Sequence, residues 1–533
     1  MPTLTINNRS VTVEEGTTLI QAADRLGIEI PRYCYHPGLS VAGSCRMCLV
    51  EIEKLPKLQP ACNTRASEGM VVFTNTEKVR QAVSGVLEFL LLNHPLDCPV
   101  CDQAGECFLQ EYYMKFGLYD SRYNENKTKW QKALPIGPHV MLDNERCILC
   151  SRCVRFVREI THSHELAIFN RGAESEIGLL PGKELNNPYS GNVVDICPVG
   201  ALTDRDFRFQ CRVWYLSQTP SVCPGCSRGC NISIHTNRQR PHHAQGRRVV
   251  RLKPRFNSEV NQWWMCDAGR YGFSFIDAPS RITQPRISSG EPPQEVSWED
   301  AISRLAREIQ STLDFAGKDH ISILASPAMT NEDLFLVWRL FREDLGLGQV
   351  GFHVPDRRPA TEDDFLIRAD KHPNTRGAQA ILPEAVDLFI ENERTGKGSG
   401  TLYLFDHDLV EKNGEAKTKA FLSRYRLVVY QGSNENRTSA MAHILLPAAT
   451  YAETEGTFTN FEGRVQKIEE AILPLGDSLP HWKILLHLAR QLGFDYPYLK
   501  AEEVFADLAG NHPAFAGLTY DSIGERGALL QKK

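Results

Sequence analysis

The sequence predicts a multidomain protein of mixed α+β and α/β class, in which small cysteine-rich domains precede a larger α/β domain. Three observations support this prediction. All 16 cysteines lie between Cys34 and Cys266. Residues 1–75 show strand and helix patterns around the first cysteines. Beyond residue 278 there is no cysteine, and helical and strand patterns alternate, which is typical of a doubly wound sheet.

Size and composition narrow the possible functions. The 533 residues are enough for about three to five domains. The chain is 42% hydrophobic and 23% charged, and its net charge of −5 gives no support for nucleic-acid binding. No segment approaches the roughly 20 apolar residues that span a bilayer, and no secretory or transit pattern is visible. We therefore expect a reducing cytosol, where closely spaced cysteines bind metals rather than form disulfides.

The first 75 residues are predicted to form a hairpin, a helix and two further strands, with cysteines on the intervening loops. The helical pattern stops at Gly27, a typical helix terminator. This order suits a β-grasp ferredoxin. The predicted elements are strands 3–6 and 10–13, the helix 17–26, and strands 49–52 and 71–73.

The first cysteine group has the spacing C-x10-C-x2-C-x13-C and comprises Cys34, Cys45, Cys48 and Cys62. Plant-type ferredoxins begin C-x4-C-x2-C, so the first loop is longer here. Small residues at 42–44 allow backbone N–H groups to approach cluster sulfurs. We predict a [2Fe-2S] cluster. A structural zinc site is the alternative, although zinc sites usually pair two short-spaced knuckles.

The second group follows a predicted helix over residues 76–93, whose apolar residues recur at spacings of three and four. Three cysteines come next: Cys98, Cys101 and Cys107. An iron–sulfur cluster needs about four donors, and a neutral imidazole can replace a thiolate. His94 supplies such an imidazole, so we predict a [4Fe-4S] site, although a histidine before a proline is more often a capping or surface residue. Residues 112–130 are interpreted as a connecting segment.

The third group combines a C-x2-C-x2-C triplet with a distant Cys-Pro pair, which is the bacterial ferredoxin pattern. Its members are Cys147, Cys150, Cys153 and Cys197. In two-cluster ferredoxins the Cys-Pro cysteine serves the other cluster. Only one complete triplet is present here, so Cys197 is expected to close the same [4Fe-4S] cluster. A helix is predicted to begin directly after Cys153.

The fourth group has the spacing C-x2-C-x3-C-x35-C and comprises Cys223, Cys226, Cys230 and Cys266. Cys211 belongs to none of the four groups. A lone cysteine is most often an inert buried apolar residue, so Cys211 stays unassigned.

Two runs carry a resemblance to a known family: GSCRMCLVEIE from Gly43 and NHPLDCPVCDQAGEC from Asn93. They resemble the large iron–sulfur subunit of NADH:quinone oxidoreductase (respiratory complex I), of the bacterial G type. In that family the histidine at the position of His94 is a cluster ligand. The fourth group resembles the [4Fe-4S] domain of molybdopterin oxidoreductases, and the run around Cys266, WWMCDAGRYGF, resembles its closing motif.

The C-terminal part resembles a shortened molybdopterin oxidoreductase domain, on the run ILLPAATYAETEGTFTNFEGR. It is much smaller than a full enzyme body and has no cysteine to ligate molybdenum, so we expect a catalytically silent domain without molybdopterin. The prolines at 279, 285, 292 and 293 indicate a linker, and residues 356–400 are interpreted as bridging a deletion. The predicted helices span 298–313, 331–345 and 417–424, and the predicted strands span 321–325, 402–405 and 427–430.

Five domains follow from these patterns and resemblances. They are a β-grasp [2Fe-2S] domain (1–75), a [4Fe-4S] segment with one histidine and three cysteines (76–130), a [4Fe-4S] ferredoxin-like domain (131–215), a molybdopterin-oxidoreductase-type [4Fe-4S] domain (216–278) and the silent C-terminal domain (279–533).

The resemblance implies an electron-transfer subunit with no catalytic residue and no complete active site of its own. Electrons would come from NADH through FMN in a partner subunit, alongside a small [2Fe-2S] subunit. They would leave through downstream iron–sulfur and quinone-site subunits of the peripheral arm of the proton-translocating complex. The first three groups would form the relay, and the fourth would lie to one side. The expected location is the cytoplasmic side of a bacterial inner membrane, attached only through the complex.

Two alternatives remain open at this stage. The chain could serve an NAD-linked hydrogenase or formate dehydrogenase as a diaphorase or electron-transfer subunit, because related subunits share these motifs. It could instead be a zinc-stabilised binding protein without enzymatic function. Iron and acid-labile sulfide distinguish the two kinds of metal site.

Overall fold

The computed structural model describes residues 1–288, 293–354, 361–382 and 400–531. Contacts divide the chain into two compact units. The first comprises Met1–Leu216 with His242–Gln245, and the second comprises Ser217–Pro241 with Gly246–Lys533. Within the described ranges, no helix has the length and apolar character needed to cross a membrane.

The first unit opens with a five-stranded sheet. Its hairpin turns at Asn7 and Asn8, whose φ values of 47° and 64° lie in the left-handed region that asparagine tolerates. The first and last strands of this segment pair in parallel, and the other pairs are antiparallel. In spatial order the strands are Arg9–Thr12, Thr3–Ile6, Val71–Phe73, Leu49–Ile52 and Gln59–Pro60.

The helix Leu19–Arg25 shares a core with this sheet, to which both contribute buried apolar side chains. It is shorter than the predicted helix because Thr18 is its N-cap and Leu26 its C-cap, and Gly27 then turns the chain at a φ of 67°. The predicted hairpin, helix and strands are confirmed, with element ends shifted by one or two residues.

Two helices flank the second cysteine group in sequence. The first, Glu77–Leu91, starts at the N-cap Thr76, whose Oγ1 accepts a hydrogen bond from the Val79 N–H at 3.3 Å. The second, Phe108–Phe116, runs into the stretch 112–130. The interpretation of that stretch as a connecting segment is therefore wrong over its first five residues. The helix forms there because Leu109 and Tyr112 are both buried on one side.

The third cysteine group lies among short elements of the first unit. A three-stranded sheet has the order Leu202–Asp204, Val140–Leu142, Leu134–Pro135, and a separate hairpin pairs Leu166–Phe169 with Glu176–Leu179. Two helices carry cysteines at or beside their ends. They are Arg152–Glu159, which contains Cys153, and Asn192–Ile196, which precedes Cys197. The helix predicted after Cys153 is thus confirmed, and it begins one residue before that cysteine.

The second unit begins with a three-stranded antiparallel sheet and a short helix. The strands are Ser217–Val222, Asn231–Thr236 and Val249–Pro254, and the helix is Asp267–Tyr271. The sheet places Cys223 after its first strand and Cys230 before its second, where the two residues share a backbone hydrogen bond of 2.8 Å. Cys266 caps the helix.

A seven-stranded sheet forms the centre of the remaining part of the second unit. Five strands are parallel and follow the spatial order 2-1-3-4-5 of their appearance in the chain, which is a doubly wound order. Two short antiparallel strands extend one edge. In spatial order the strands are Gln294–Glu295, Arg286–Ile287, Ile444–Pro447, Leu427–Gly432, Thr401–Phe405, Ile321–Ala325 and Gln349–Phe352.

Helices and a small sheet accompany this central sheet. The helices are Trp298–Phe315, Asn331–Val337 with a π-helical continuation Trp338–Asp344, Thr375–Ile381, Leu409–Asn413, Glu415–Leu422, His481–Gln491, Ala501–Asn511 and Tyr520–Ile523. The small sheet contains Gly456–Thr459, Arg464–Ile468 and Ala528–Leu529. The predicted doubly wound domain is confirmed, since every helix and strand predicted for it is present. Ile321–Ala325 has the predicted ends, and the other elements have altered ends.

The prediction of a linker marked by prolines is partly wrong. Arg286–Ile287 and Gln294–Glu295 pair with each other, and the first of them pairs with Ile444–Pro447, so this stretch contributes two edge strands to the sheet. Pro292 lies outside the described residues. Of the stretch 356–400 interpreted as bridging a deletion, residues 361–382 and 400 are described, and they include the helix Thr375–Ile381.

Candidate iron–sulfur sites

The first cysteine group converges in the structure. Cys34, Cys48 and Cys62 are buried and Cys45 is half-buried. Thiol hydrogen bonds join Cys34 to Cys45 and to Cys62, and another joins Cys48 to Cys62. The bond with Cys45, followed by that with Cys62, lowers the pKa of Cys34, and the bond with Cys62 lowers the pKa of Cys48 to about 7. Four adjoining sulfurs of this kind match the donor set of an iron–sulfur cluster.

Backbone N–H groups approach the sulfurs of this group. The N–H of Cys34 donates to Cys45 Sγ at an N–S distance of 3.4 Å. The backbone groups of Ser44 and Cys45 form hydrogen bonds with the Cys34 sulfur. Gly43, between Cys34 and Cys45, has a φ of 64°, a conformation that favours glycine. Of the small residues at 42–44, the backbone of Ser44 makes the predicted approach to a cysteine sulfur.

The second group lines a cavity of about 430 Å³, with His94, Cys98, Cys101 and Cys107 all in its walls. Cys101 and Cys107 are buried, whereas Cys98 is exposed. Within the described part of the chain, the buried Nδ1 of His94 has no hydrogen-bond partner. Buried polar atoms are normally satisfied, so an orphaned imidazole nitrogen in a cavity that three cysteines also line fits a metal ligand.

Electrostatics favour a neutral imidazole at this site. Burial, followed by the charges of Arg146 and Lys127, lowers the pKa of His94 to about 4. A neutral imidazole is the form that binds metals. Burial also raises the pKa of Cys107 to about 11. Arg146 is held beside the group by Asp97, to which its Nε and Nη2 donate at 3.0 and 2.8 Å.

The segment around Cys211 holds the loop of the second group. The Phe209 N–H donates to both carboxylate oxygens of Asp102 at 3.0 and 2.9 Å. Arg212 donates to the carbonyl oxygen of Cys101 at 2.7 Å. Phe209 has a φ of 63°, an uncommon conformation for an aromatic residue. Cys211 is buried in this segment, and its thiol contacts the Arg212 carbonyl at 3.5 Å.

The third group surrounds an apolar cavity. All four cysteines line it, and the other walls are mostly apolar. These include Leu142, Ile148, Ile177, Val199, Ala201 and Leu202. Burial raises the pKa of every cysteine of the group and brings that of Cys197 to about 12. Such thiols ionise only when a cation compensates the thiolate, and bound iron is such a cation.

Local backbone geometry shapes the loop of the third group. Leu149 and Ser151 have φ values of 52° and 60°, so two non-glycine residues adopt left-handed conformations between the cysteines. The Leu149 N–H donates to Cys147 Sγ at 3.4 Å. At the distant cysteine, backbone hydrogen bonds from Val199, Ala201 and Leu202 reach the Cys197 sulfur.

The fourth group also converges, within the second unit. Cys223 and Cys230 are buried, and Cys226 and Cys266 are half-buried. The electrostatic neighbours of Cys230 include the other three members of the group. Gly269 lies between two sulfurs, since a Cβ there would lie 2.8 Å from Cys223 Sγ and 3.5 Å from Cys266 Sγ. Only glycine leaves room for this approach.

The donor chemistry of the four groups fits iron–sulfur clusters, which take thiolates and in some proteins histidine. The members of each group share thiol contacts, electrostatic contacts or a cavity wall, and at least two cysteines of each group are buried. No set of three His, Cys, Asp or Glu side chains in the described ranges is arranged to hold a single metal ion.

Sequence reasoning missed the residues that support the cysteine groups. These are the arginines beside them and the glycines pressed against their sulfurs: Arg146, Arg152, Arg155, Arg212, Gly200 and Gly269. A weak signal existed in the run Arg-Cys-Val-Arg from 152 to 155, where two cations flank a cysteine on one helix. Their contacts lie far away in sequence, so the run alone could not identify them.

Family models match five stretches of the chain. A 2Fe-2S iron-sulfur cluster binding domain matches residues 1–77, and the NADH-ubiquinone oxidoreductase-G iron-sulfur binding region matches 84–122. The ferredoxin-like domain of NADH-quinone oxidoreductase subunit 3 matches 137–203. The molybdopterin oxidoreductase Fe4S4 domain matches 216–278, and molybdopterin oxidoreductase matches 374–491. Each of the first four matches contains one complete cysteine group.

Relatives that match most of the chain support the same family. The mitochondrial NADH-ubiquinone oxidoreductase 78 kDa subunit of Candida albicans is 30% identical over 612 residues, covering 93% of this chain and 83% of the relative. The chain belongs to the family of the NADH-quinone oxidoreductase G subunit and the 78 kDa subunit. Members of this family include the G subunit of Rickettsia bellii, 29% identical over 97% of this chain and 90% of the relative. The G subunit of Streptomyces coelicolor is 39% identical over 68% of this chain and 42% of the relative.

A solved structure resembles part of the chain less closely. One chain of an NAD+-reducing [NiFe]-hydrogenase in the H2-reduced state is 29% identical over 40% of this chain and 91% of its own length. The TM-score is 0.37. The family assignment therefore depends on the sequence relatives and the domain matches.

Proposed function

We propose that the chain is the electron-conducting iron–sulfur subunit of an NADH-quinone oxidoreductase. The observation that carries the proposal is that the cysteines of each group lie together, through thiol contacts in the first, a shared cavity in the second and third, and electrostatic contacts in the fourth. Each cluster, when bound, accepts and releases an electron without bond chemistry on a substrate. The protein supplies the thiolates, the imidazole and the buried surroundings that set each potential. The subunit contributes to the enzyme without a complete active site of its own.

We assign one [2Fe-2S] cluster to the first group and a [4Fe-4S] cluster to each of the others. The proposed ligands of the first are Cys34, Cys45, Cys48 and Cys62. Those of the second are His94, Cys98, Cys101 and Cys107. The third takes Cys147, Cys150, Cys153 and Cys197, and the fourth takes Cys223, Cys226, Cys230 and Cys266.

Contacts within the first unit support a relay through its three groups. The helix that contains Cys153 also contains Arg155, which donates to the carbonyl oxygen of Cys34 in the first group. The loop after Cys197 places Gly200 against the Cys101 sulfur of the second group. The third group therefore adjoins both of the others, and electrons can pass between near neighbours. The fourth group belongs to the second unit, and we propose that it lies outside this relay.

The domain boundaries and the silent character of the last domain belong to the same proposal. Domains end near residues 75, 130, 215 and 278, and residues 279–533 form a scaffold that binds no molybdopterin. The proposed partners are an FMN-containing NADH-binding subunit, a small [2Fe-2S] subunit and downstream iron–sulfur or quinone-site subunits. The proposed location is the cytoplasmic face of a bacterial inner membrane, within the peripheral arm.

Metal analysis tests the proposal directly. The full chain, isolated without oxygen, is expected to contain roughly 12 to 16 iron atoms with matching acid-labile sulfide. Zinc without sulfide would overturn the proposal and favour the zinc-stabilised binding protein. Subunits that co-purify with the chain identify the complex. A flavoprotein with quinone-site subunits supports the proposal, whereas a hydrogenase or formate dehydrogenase catalytic subunit favours the diaphorase alternative.

A further inference from the structure

One face of the helix Arg152–Glu159 contacts the loop of the first cysteine group. Arg152, Arg155 and Glu159 are spaced so that they lie on the same side of the helix. Glu159 accepts hydrogen bonds from the Ser40 N–H at 2.9 Å and from the Ser40 hydroxyl at 2.7 Å. The helix that contains Cys153 of the third group therefore also fixes the loop that follows Cys34.

Arg152 joins the two groups through backbone carbonyls. Its Nη1 donates to the carbonyl oxygen of Ile196, next to Cys197, at 3.0 Å. Its Nη2 donates to the carbonyl oxygen of Tyr35, next to Cys34, at 2.6 Å. One guanidinium thus spans residues adjoining a cysteine of the third group and a cysteine of the first.

Arg155 makes a second connection between the same groups. Its Nη2 donates to the carbonyl oxygen of Cys34 and, at 3.4 Å, to that of Cys150. Its Nη1 donates to the carbonyl oxygen of Ser40. The planar fork of arginine makes such multiple contacts possible, and lysine has no equivalent geometry.

The charges of this pair are buried between the two groups. Arg152 and Arg155 are each only 4% exposed, and the hydrogen bonds described above go to uncharged carbonyl oxygens. Buried cations are costly unless a nearby anion compensates them. The thiols of Cys150, Cys197 and Cys34 are electrostatic neighbours of Arg152. Thiolate-ligated clusters in the first and third groups would supply that negative charge.

We propose that Arg152 and Arg155 form one shared positioning element that sets the reduction potentials of both the first and the third cluster. The proposal rests on the proposed function, since it requires clusters in both groups. A nearby cation stabilises the reduced form of a cluster, because reduction adds a negative charge. The pair therefore raises both potentials together and couples two sites of one relay through a single helix.

The test is a redox titration of the anaerobically isolated full chain, followed by electron paramagnetic resonance (EPR). The signals of the two clusters are assigned by their loss in Cys48→Ser and Cys150→Ser. In Arg155→Met, we expect the equilibrium constant for reduction of each cluster to fall about tenfold. This lowers each midpoint potential by about 59 mV for a one-electron couple. Arg80→Met is the control, because Arg80 is an exposed arginine on the helix Glu77–Leu91 of the same unit. It should leave both potentials unchanged.

Several outcomes decide the proposal. A shift of both signals in Arg155→Met, with neither signal shifted in Arg80→Met, supports it. A shift of one signal alone, or of neither, overturns it. If Arg155→Met loses iron, the same titration is carried out on Arg155→Lys. That variant keeps a cation but loses the fork, so the reduction equilibrium constants of both clusters should fall by less than tenfold. A shift of one signal alone again overturns the proposal. A wild-type chain without cluster signals would instead refute the proposed function.

Discussion

Gly200 lies directly against the sulfur of Cys101, so that a Cβ atom at position 200 would overlap Cys101 Sγ. The two residues are distant in sequence and belong to different cysteine groups. Gly200 follows the Cys197-Pro198 pair of the third group, and Cys101 lies in the second. A single missing side chain therefore allows the loops of two groups to meet.

Gly200→Ala should disrupt the second group. The added methyl group must displace the Cys101 sulfur, since its next neighbours are the Gln103 Cβ at 3.2 Å and the Arg146 Cδ at 3.6 Å. We expect the isolated chain to lose about four iron atoms and the EPR signal of the second cluster. Gly85→Ala is the matched control, because nothing lies within 4 Å of a Cβ at that helical position. Full iron content in Gly200→Ala would contradict the prediction.

His94→Cys should retain a cluster and change its properties. The buried Nδ1 of His94 is orphaned within the described structure, and the residue lines the same cavity as three cysteines. A thiolate in place of a neutral imidazole adds negative charge, which disfavours reduction and lowers the midpoint potential. We expect unchanged iron content with a shifted EPR spectrum and a lower potential. His487→Cys, at an exposed site in the second unit, is the control and should alter neither the EPR spectrum nor the potential. An unchanged spectrum in His94→Cys would exclude His94 as a ligand.

Cys211→Ser should leave all the iron in place. The Cys211 thiol contacts the carbonyl oxygen of Arg212 within the segment that holds the second group. Its replacement keeps a similar shape and a hydrogen-bond donor, so only a modest loss of stability is expected. Cys153→Ser provides the comparison and should remove the iron of the third cluster. Loss of one cluster's iron in Cys211→Ser would show that a ligand set has been wrongly assigned.

The stability of the second unit should depend on the ionisation of Glu332. This carboxyl is fully buried and accepts hydrogen bonds from the Thr457 N–H at 2.8 Å and the Tyr520 hydroxyl at 3.0 Å. Burial raises its pKa from 4.5 to about 7. The folded state therefore holds the proton more tightly than the unfolded state between these values. Stability should fall as the pH rises through this window, by roughly 1.4 kcal/mol for each pH unit at most.

Thermal unfolding of the full chain between about pH 4.5 and pH 8 checks this expectation. Glu332→Gln cannot ionise, so its unfolding temperature should depend less on pH than that of the wild type. Glu343→Gln changes an exposed carboxylate of the same unit and should retain the wild-type dependence. Parallel pH profiles for the wild type and Glu332→Gln would rule out a linkage through Glu332.

Local patterns predicted much of the secondary structure. Asn7 and Asn8 indicated a hairpin because few residues accept positive φ, and Gly27 indicated a helix end for the same reason. Predictions failed where tertiary contacts decide. Arg286–Ile287 resembled a proline-rich linker but pairs with Ile444–Pro447, far away in the chain, so its own composition could not reveal a strand.

The sequence by itself predicted four cysteine groups, because short spacings such as C-x2-C place several possible donors of each group in one loop. It also indicated a doubly wound domain, since buried strands and helices leave periodic apolar patterns, whereas the strand order and the strands Gln349–Phe352 and Ile444–Pro447 came only from the structure. Only the tertiary structure decided that the third group adjoins the first and the second. Those neighbours meet through the Ser40–Glu159 contact across 119 residues and the Gly200–Cys101 approach. Such contacts depend on how helices, strands and loops pack in three dimensions, and a local sequence pattern does not predict them.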